Sequence, residues 1–368
     1  MKWQGAKIRE LSKDNKISYQ GLAKLIGVSR QAVNDWVKGQ VPKGNHLVSL
    51  CRIFQVNPDL FFSDKTDDRI TLPIHRARLS AKVTSEMQNE ARLLSKKYVN
   101  FFANQKDPEV VPIIKVAEKS LENARKIAKA LRDMAEVAED KPIDYDHTFR
   151  LAECLGIKLI FREFPGPIKG YAFYIKILSH RIVFVNNSTN VIDLIFPLLH
   201  EFVHAIRDDI PPGLVYSEEE EDFCDNVANF VQFPESYVNE VYENIRSINP
   251  ASQIKLLKNY ASRNGHSLFG IVEAIKRVDP QFNLNVGGAN SNLKKNFLTI
   301  GEILHKYDDA REYVQTIIEL SNIFISNIYS QIDYISDRKL AELLDIESVL
   351  DVKEVRVEIK RAFTRPNH

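Results

Sequence analysis

The segment His200-Glu201-Phe202-Val203-His204 follows an apolar run at residues 191–199, and it decides how the central part of the chain folds. The apolar run predicts a buried helix that continues through the segment. Residues four apart lie on one face of a helix, so the imidazoles of His200 and His204 can meet at one metal ion. Glu201 lies about a third of a turn from His200, where its carboxylate can reach a water molecule rather than the metal. This pattern fits a zinc peptidase site; the alternative is a buried helix that carries two histidines by chance.

An acidic segment downstream, Ser217-Glu218-Glu219-Glu220-Glu221-Asp222, predicts the start of a second helix. Ser217 and Glu220 have the spacing of a capping box, in which each side chain bonds the backbone amide of the other residue. Glu218 and Glu219 are expected to face water, because carboxylates suit the positive N-terminal end of a helix.

Glu221 is the candidate third ligand, since a site with two histidines lacks one protein ligand. On the predicted helix it shares the apolar stripe with Cys224, Ala228 and Val231. A carboxylate buried there needs a partner, and a Zn²⁺ ion held by His200 and His204 is such a partner. Asp225, one turn later, can accept a hydrogen bond from the outer ring nitrogen of a ligating histidine.

Predicted elements surround these motifs in a definite order. A helix runs from Pro142-Ile143-Asp144 to Leu155-Gly156-Ile157, and extended segments follow at 158–163, 170–174 and 181–186. The motif helix and the acidic helix, which closes at Pro234, come next. Over residues 140–236 this order resembles the ImmA/IrrE metallopeptidase family, a gluzincin-like group. The resemblance implies a zincin-like domain with a small sheet of about three strands.

The resemblance also implies roles for individual residues. His200, His204 and Glu221 correspond to the metal ligands and Glu201 to the catalytic base. The same ligand set suits Fe²⁺ or Mn²⁺ as well as Zn²⁺. The chain departs from the family pattern at Cys224-Asp225, where Ala-Asn or Ala-Asp is usual, at residues 190–195, which lack a basic side chain, and at Pro197 inside the motif helix.

Two tyrosines on the predicted strand before the motif helix are candidates for stabilising an oxyanion. Tyr171 and Tyr174 have hydroxyl groups that can donate to developing negative charge on a peptide carbonyl. The alternative is that both are core tyrosines. A peptide substrate is expected to add as a strand at the sheet edge.

The first 63 residues predict a bundle of short helices that binds DNA. Ser18 and Ser29 are candidate N-caps of two helices joined by a turn at Gly27, a helix-turn-helix pattern. The segment resembles the Xre/Cro-type repressor domain down to Trp36, Gly39, Pro42 and Val56-Asn57-Pro58. It departs from that family at Tyr19, where glutamine is common, and at Val37, where glutamate is common.

The second helix of this pair is expected to enter the major groove of a double-stranded DNA operator. Arg30, Gln31 and Asn34 are candidates for reading base edges and Lys38 for a phosphate contact. Residues 1–50 hold nine Lys or Arg and three Asp or Glu, a net charge of +6, whereas the whole chain carries +1 and the other 318 residues therefore −5. Positive charge is concentrated where DNA would lie; the alternative is a protein-docking module.

These patterns predict a mainly α (α+β) chain of four parts. Residues 1–63 are the helix-turn-helix bundle, 64–139 a linker with long helices, 140–236 the peptidase-like domain, and 237–368 a helical C-terminal region. For the last part a sensor, an oligomerisation element and a lid stay open. Residues 283–292, with Gly287-Gly288, predict a loop.

Residues 335–346 echo residues 17–28. Both read Ile-Ser-x-x-x-Leu-Ala-x-Leu followed by an apolar residue, any residue and a second apolar residue. Either a second helix-turn-helix-like unit or coincidence between amphipathic helices explains the match.

The sequence thus predicts a DNA-binding transcriptional regulator with a zinc-dependent endopeptidase domain. The resemblance implies that it cleaves a repressor or another regulatory protein in a stress or mobile-element response. We expect cleavage of a partner protein rather than of the chain's own linker near residues 63–73. The alternative is a non-catalytic, metal-binding repressor or antitoxin-like sensor.

The cellular setting follows from composition. Three scattered cysteines, Cys51, Cys154 and Cys224, predict a reducing cytosol, and the sequence shows neither a signal peptide nor a membrane span. A cytoplasmic protein is therefore expected. A homodimer is also expected, because helix-turn-helix repressors commonly read paired half-sites.

Overall fold

The chain forms two compact units, residues 1–68 and 69–368. The structure, a computed structural model, describes residues 2–15, 17–54, 56, 58–63, 70–71, 84–106, 114–115, 118–207, 218–306, 309–347 and 349–364. Each unit has a hydrophobic core of its own. The mainly α (α+β) class predicted from the sequence is confirmed. The finer division into four parts stays a prediction.

The described part of the first unit is a bundle of short helices closed by a two-stranded sheet. The helices are α1 (Gly5–Asp14), α2 (Tyr19–Ile26), α3 (Arg30–Lys38) and α4 (Gly44–Phe54), followed by a 3₁₀ turn at Pro58–Phe61. Strands β1 (Lys2–Trp3) and β2 (Phe62–Ser63) pair antiparallel, which brings the two ends of the unit together.

Helices α2 and α3 form the predicted helix-turn-helix. The side chain of Ser18 accepts a hydrogen bond from the amide of Gly21, and Ser29 caps α3 in the same way, so both predicted N-caps are confirmed. Gly27 closes α2 in the left-handed region, at φ 79°, where a residue without a Cβ is favoured. Leu22 and Val33 are fully buried between the helices.

A close backbone contact fixes α1 against the end of α3. A Cβ added to Gly5 would lie 2.1 Å from the carbonyl oxygen of Trp36 and 2.5 Å from that of Val37. The indole nitrogen of Trp3 donates to the same Trp36 carbonyl at 2.7 Å. This approach requires glycine at residue 5, because backbone carbonyls cannot move aside as a flexible side chain can.

The second unit is built on a mixed sheet in the order β3-β5-β6-β4. Its strands are β3 (Ile70–Thr71), β4 (Lys158–Arg162), β5 (Ala172–Ile177) and β6 (His180–Asn186). Strands β5 and β6 form an antiparallel hairpin and β4 runs parallel to β6. The sheet thus has three strands of five to seven residues, as predicted, with a two-residue strand added at the edge of β5.

Helices make up the rest of the described elements of this unit. They are α5 (Ser85–Ala103), α6 (Leu121–Met134), α7 (Tyr145–Cys154), α8 (Val191–Ile206), α9 (Glu218–Gln232), α10 (Glu235–Ile245), α11 (Pro250–Asn264), α12 (Leu268–Ile275), α13 (Gly287–Lys294), α14 (Ile300–Leu304), α15 (Ala310–Ser330), α16 (Asp337–Leu344) and α17 (Val349–Thr364). None of the described helices is long and apolar enough to cross a membrane. The predicted loop at residues 283–292 is wrong in its second half, because α13 begins at Gly287.

The N-terminal end of the motif helix α8 forms a hydrogen bond and an ion pair with the C-terminal region. It packs against β5, β6, α7 and α9. The side chain of Asn190 accepts from the amide of Ile192, which caps α8, and donates to the carbonyl of Phe297 at 2.7 Å. Asp193 in the first turn pairs with Lys294. The C-terminal helices therefore help to fix where the motif helix begins.

The echo between residues 17–28 and 335–346 extends to local structure. Helix α16 is as long as α2, begins after a serine N-cap, Ser336, and ends in a left-handed residue, Asp345 at φ 57°. The carbonyl oxygen of Ala341 accepts hydrogen bonds from the amides of the first two residues after α16. The carbonyl oxygen of Ala23 does the same for the first two residues after α2. In the second unit, however, α16 packs into the core against α5, β4 and α17.

The contact at Gly5 predicts a strong effect of a single methyl group. Gly5→Ala should lower the free energy of unfolding of the first unit by about 1–3 kcal/mol, because the methyl group overlaps backbone carbonyls. Urea unfolding followed by tryptophan fluorescence measures this unit alone, since both tryptophans of the chain, Trp3 and Trp36, lie in its core. Gly44→Ala is the matched control, because a Cβ there meets open space. Equal stability of the two variants would contradict the account.

Candidate metal centre and DNA-binding surface

The structure brings His200, His204 and Glu221 together between α8 and α9. The two histidines, one helical turn apart, have their Nε2 atoms 2.9 Å from each other. Each Nε2 lies 3.5 Å from a different oxygen of the Glu221 carboxylate. The three donor atoms all lie within 4.8 Å of one another, a grouping that can hold a metal ion. The convergence follows from packing α8 on α9 with the stripe that carries Glu221 facing inward.

The donor set fits a divalent cation. Only 7% of His200, 3% of Glu201, 2% of His204 and 2% of Glu221 is exposed, so two carboxylates are buried beside two imidazoles. Buried negative charge requires compensation. Burial opposes protonation of His200, but Asp225, Glu221 and Glu201 outweigh it and raise the pKa of this imidazole to about 10. The cluster therefore attracts positive charge, which a metal ion would provide in place of that proton.

Glu201 is held by the neighbouring sheet. Its Oε2 accepts a hydrogen bond from the backbone amide of Tyr174 on β5, at 2.7 Å. The Tyr174 side chain is fully buried, which favours the core-tyrosine interpretation, whereas Tyr171 is half-buried against the core. The oxyanion role of both hydroxyl groups stays a prediction. A part of Tyr174 that sequence reasoning did not consider, its backbone amide, is what contacts the site.

Asp225 lies where the sequence predicts it, against the outer nitrogen of a histidine. Its Oδ1 is 2.8 Å from Nδ1 of His200. The distance suits a hydrogen bond, although the ring N–H is not aimed along the line to that oxygen.

The outer nitrogen of the other histidine meets a thiol. Sγ of Cys224, which is fully buried, lies 3.5 Å from Nδ1 of His204 and 3.9 Å from Oε1 of Glu220. Burial, with Glu220 and Glu221 adding to it, raises the pKa of this thiol well above its usual value. Cys224 is therefore a neutral thiol between an imidazole and a carboxylate.

Glu220 forms a buried ion pair with Arg207, which follows α8. Nε of Arg207 bonds Oε1 of Glu220, Nη2 lies 3.0 Å from Oε2, and Lys119 contacts the same oxygen at 3.1 Å. Burial opposes ionisation of Glu220, but these two cations lower the pKa of its carboxyl group. Sequence reasoning gave Glu220 only a capping role with Ser217, and Ser217 lies outside the described residues. The apolar stripe through Phe223, Val227 and Phe230, extended backwards, would have predicted its burial.

The DNA-binding candidates lie on α3. Arg30, Gln31 and Lys38 are exposed and Asn34 is half-buried. The Gln31 amide donates to Oδ1 of Asp35 at 2.8 Å, one turn along the helix. The N-terminal half of α3 thus presents polar side chains to solvent, as base readout from a recognition helix requires.

Comparison with known proteins identifies the first unit. Residues 7–67 match the Cro/C1-type helix-turn-helix DNA-binding domain. The chain therefore carries a DNA-binding domain of this type, as its resemblance to Xre/Cro-type repressors predicts. No curated protein matches the chain as a relative. The likeness of residues 140–236 to ImmA/IrrE metallopeptidases stays a prediction from the sequence.

The placement of DNA on α3 predicts different effects of two substitutions on the affinity for DNA. Lys38→Ala should weaken binding to every duplex and lower the salt slope of log K by about one, because it removes a phosphate contact. Asn34→Ala should cost about 1–3 kcal/mol on the preferred sequence and little on an unrelated one. Fluorescence anisotropy with a duplex selected from a random library, and with an unrelated duplex, measures both effects.

The control is Lys255→Ala, which removes an exposed lysine of the second unit. If Lys38→Ala and Lys255→Ala bind both duplexes with the same affinity and salt slope, the placement of DNA on α3 is wrong.

Proposed function

We propose that this protein is a DNA-binding transcriptional regulator whose second unit is a zinc-dependent endopeptidase. One observation carries the proposal: two imidazole nitrogens and a carboxylate converge within 4.8 Å, and the glutamate between the histidines is buried next to them. Three protein ligands are the usual number in catalytic zinc sites, whereas structural sites have four. In the described part of the chain no fourth donor joins this group.

His200, His204 and Glu221 would hold the zinc ion. When bound, zinc acts as a Lewis acid, which polarises a peptide carbonyl and lowers the pKa of water toward neutrality. Glu201 accepts a proton from the attacking water and later donates it to the leaving amine. The hydrogen bond from the Tyr174 amide orients the Glu201 carboxylate for this transfer. Asp225, 2.8 Å from the outer nitrogen of His200, is placed to orient this ring when the nitrogen donates to it.

The DNA-binding domain gives this activity a regulatory setting. A chain that binds an operator and cleaves proteins can remove a repressor or another regulator at the gene it controls. The resemblance to ImmA/IrrE metallopeptidases supports a role in a stress or mobile-element response. We infer that the substrate is a partner protein, so purified chain supplied with zinc should stay intact rather than release a fragment of about 60–75 residues, the size of one small helix-turn-helix domain.

The second candidate is a non-catalytic sensor, in which metal occupancy controls DNA binding. The observation that favours it is the depth of the site, since at most 7% of any ligand candidate is exposed. A peptide substrate must bring its carbonyl group to the metal site, whereas a metal ion alone needs less room. The two candidates differ in what Glu201 does, because a sensor does not require a base.

Glu201→Gln separates the two candidates. The amide keeps the size of the side chain and its acceptor for the Tyr174 amide, but it cannot accept the proton. We expect the variant to bind zinc as the wild type does and to lose cleavage by a factor of about 10²–10⁴ or more, the usual contribution of a general base. Sequencing of new protein N-termini in cells that express either form identifies the cut protein.

The matched control is Glu218→Gln, which changes an exposed glutamate at the start of α9. It should leave the set of new N-termini unchanged. If cells with Glu201→Gln show the same new N-termini and the same transcriptional response as the wild type, the endopeptidase proposal fails and the sensor proposal is favoured.

A further inference from the structure

The two histidines of the candidate metal centre differ in what contacts their outer nitrogens. Nδ1 of His200 faces the carboxylate of Asp225 at 2.8 Å. Nδ1 of His204 faces the thiol of Cys224 at 3.5 Å. A carboxylate is a strong acceptor and a thiol sulfur a weak one, so the two imidazoles have unequal partners.

The contacts of the Cys224 thiol continue to a buried carboxylate. Sγ of Cys224 donates to Oε1 of Glu220 at 3.9 Å, the same oxygen that Nε of Arg207 bonds. The other oxygen of Glu220 lies 3.0 Å from Nη2 of Arg207 and 3.1 Å from Nζ of Lys119. His204, Cys224, Glu220 and Arg207 are all less than one-tenth exposed. A buried series therefore runs from the candidate ligand through the thiol to a neutralised carboxylate.

Cys224 does not lie with the three candidate ligands. The close group of donor atoms comprises His200, His204 and Glu221 alone among the described residues, although cysteine sulfurs are eligible donors. Sγ lies against Nδ1 of His204, while Nε2 of the same ring faces the other two ligands. These two nitrogens are on different flanks of the imidazole ring. The thiol is thus placed to orient His204 rather than to join it as a ligand.

The position of the thiol suits the protonation state that a metal-binding histidine needs. A neutral histidine that offers Nε2 to a metal carries its proton on Nδ1, and that N–H needs an acceptor in a buried site. The sulfur accepts it, and the S–H proton is in turn donated to Glu220. A sulfur whose own proton is engaged by a carboxylate is a better acceptor, because hydrogen bonds in a series polarise one another.

We propose that Cys224 is the positioning residue of His204, and that it links this ligand to the Glu220–Arg207 ion pair. The proposal rests on the metal site of the proposed function. It assigns to the thiol the part that Asp225 plays for His200. It also gives the ion pair between α8 and α9 a role in metal binding besides its role in packing.

Zinc affinity, measured on the full chain by competition with a chromophoric chelator, tests the proposal. Cys224→Ala removes the acceptor and should weaken zinc binding about tenfold or more, the usual effect of losing such a partner. Cys224→Ser keeps an acceptor and a donor and should restore most of the affinity. Val227→Ala changes a buried residue of α9 whose side chain has no polar atom to offer a histidine, so it should lower the unfolding temperature of the metal-free protein without changing zinc affinity.

A double-mutant cycle tests the link to Glu220. Glu220→Gln should weaken zinc binding in the wild-type background, because the thiol proton loses its charged acceptor. In the Cys224→Ala background the same change should have little further effect, since the link is already broken. Additive effects would show that Glu220 acts only by holding α9. If Glu220→Gln does not fold, the comparison of alanine and serine at residue 224 still decides the proposal.

The outcomes separate this proposal from the proposed function. Wild-type protein that does not bind zinc overturns both. Zinc binding that is unchanged in Cys224→Ala, or equally weak in Cys224→Ser and Cys224→Ala, overturns only the positioning role. Cobalt-substituted wild type should lack intense sulfur-to-metal charge-transfer absorption. If that absorption appears, and disappears in Cys224→Ser, Cys224 is a ligand and the proposal is wrong.

Discussion

Two carboxylates buried beside two imidazoles are the constraint on which the second unit depends. Glu201 and Glu221 lie where almost no solvent reaches them, and His200 and His204 are equally enclosed. Taking an ionised carboxylate out of water costs several kcal/mol unless opposite charge and hydrogen bonds offset it. The amide of Tyr174 on β5 offsets part of this cost for Glu201 by donating a hydrogen bond. Asp225 on α9 adds a further negative charge beside His200, so the cluster as a whole favours a cation.

The rest of the unit holds the elements that carry these groups. The C-terminal region stabilises the start of α8 through its hydrogen bond with Asn190. The Arg207–Glu220 ion pair links the end of α8 to the start of α9. Farther away, Ser321 on α15 donates to the carbonyl of Leu159 on β4, and Asp345 after α16 pairs with Arg162 at 2.7 Å. Parts of the region beyond residue 237, α15 and the end of α16 among them, therefore belong to the packing that supports the sheet and the motif helix.

Features with local causes could be predicted from the sequence. Ser18, Ser29 and Gly27 act through contacts within a few residues, so caps and turn were found where predicted. The inward face of Glu221 also followed, because helical periodicity places it with apolar side chains. A wrong prediction at Gly287-Gly288 has a local cause too: the Asn285 side chain accepts from the Gly287 amide and starts α13 where glycines suggest a loop.

Features that depend on packing between elements could not be predicted in the same way. The partner of Glu220 is Arg207, just after the end of α8, and nothing near either residue in sequence indicates the pair. The contact of Cys224 with His204 needs the relative rotation of α8 and α9, which periodicity does not give. The contact of Tyr174 with Glu201 is made by a backbone amide, a group that every residue but proline has and that side-chain patterns cannot reveal.

The metal content of the purified full chain tests the central claim most directly. Elemental mass spectrometry of the wild type should find about one zinc per chain, the stoichiometry of a three-ligand site, and most of it should be absent from Glu221→Ala. Cooperative thermal unfolding of both proteins checks that the variant is folded. A wild type that is well folded but binds no zinc, even when zinc is supplied, would contradict the account.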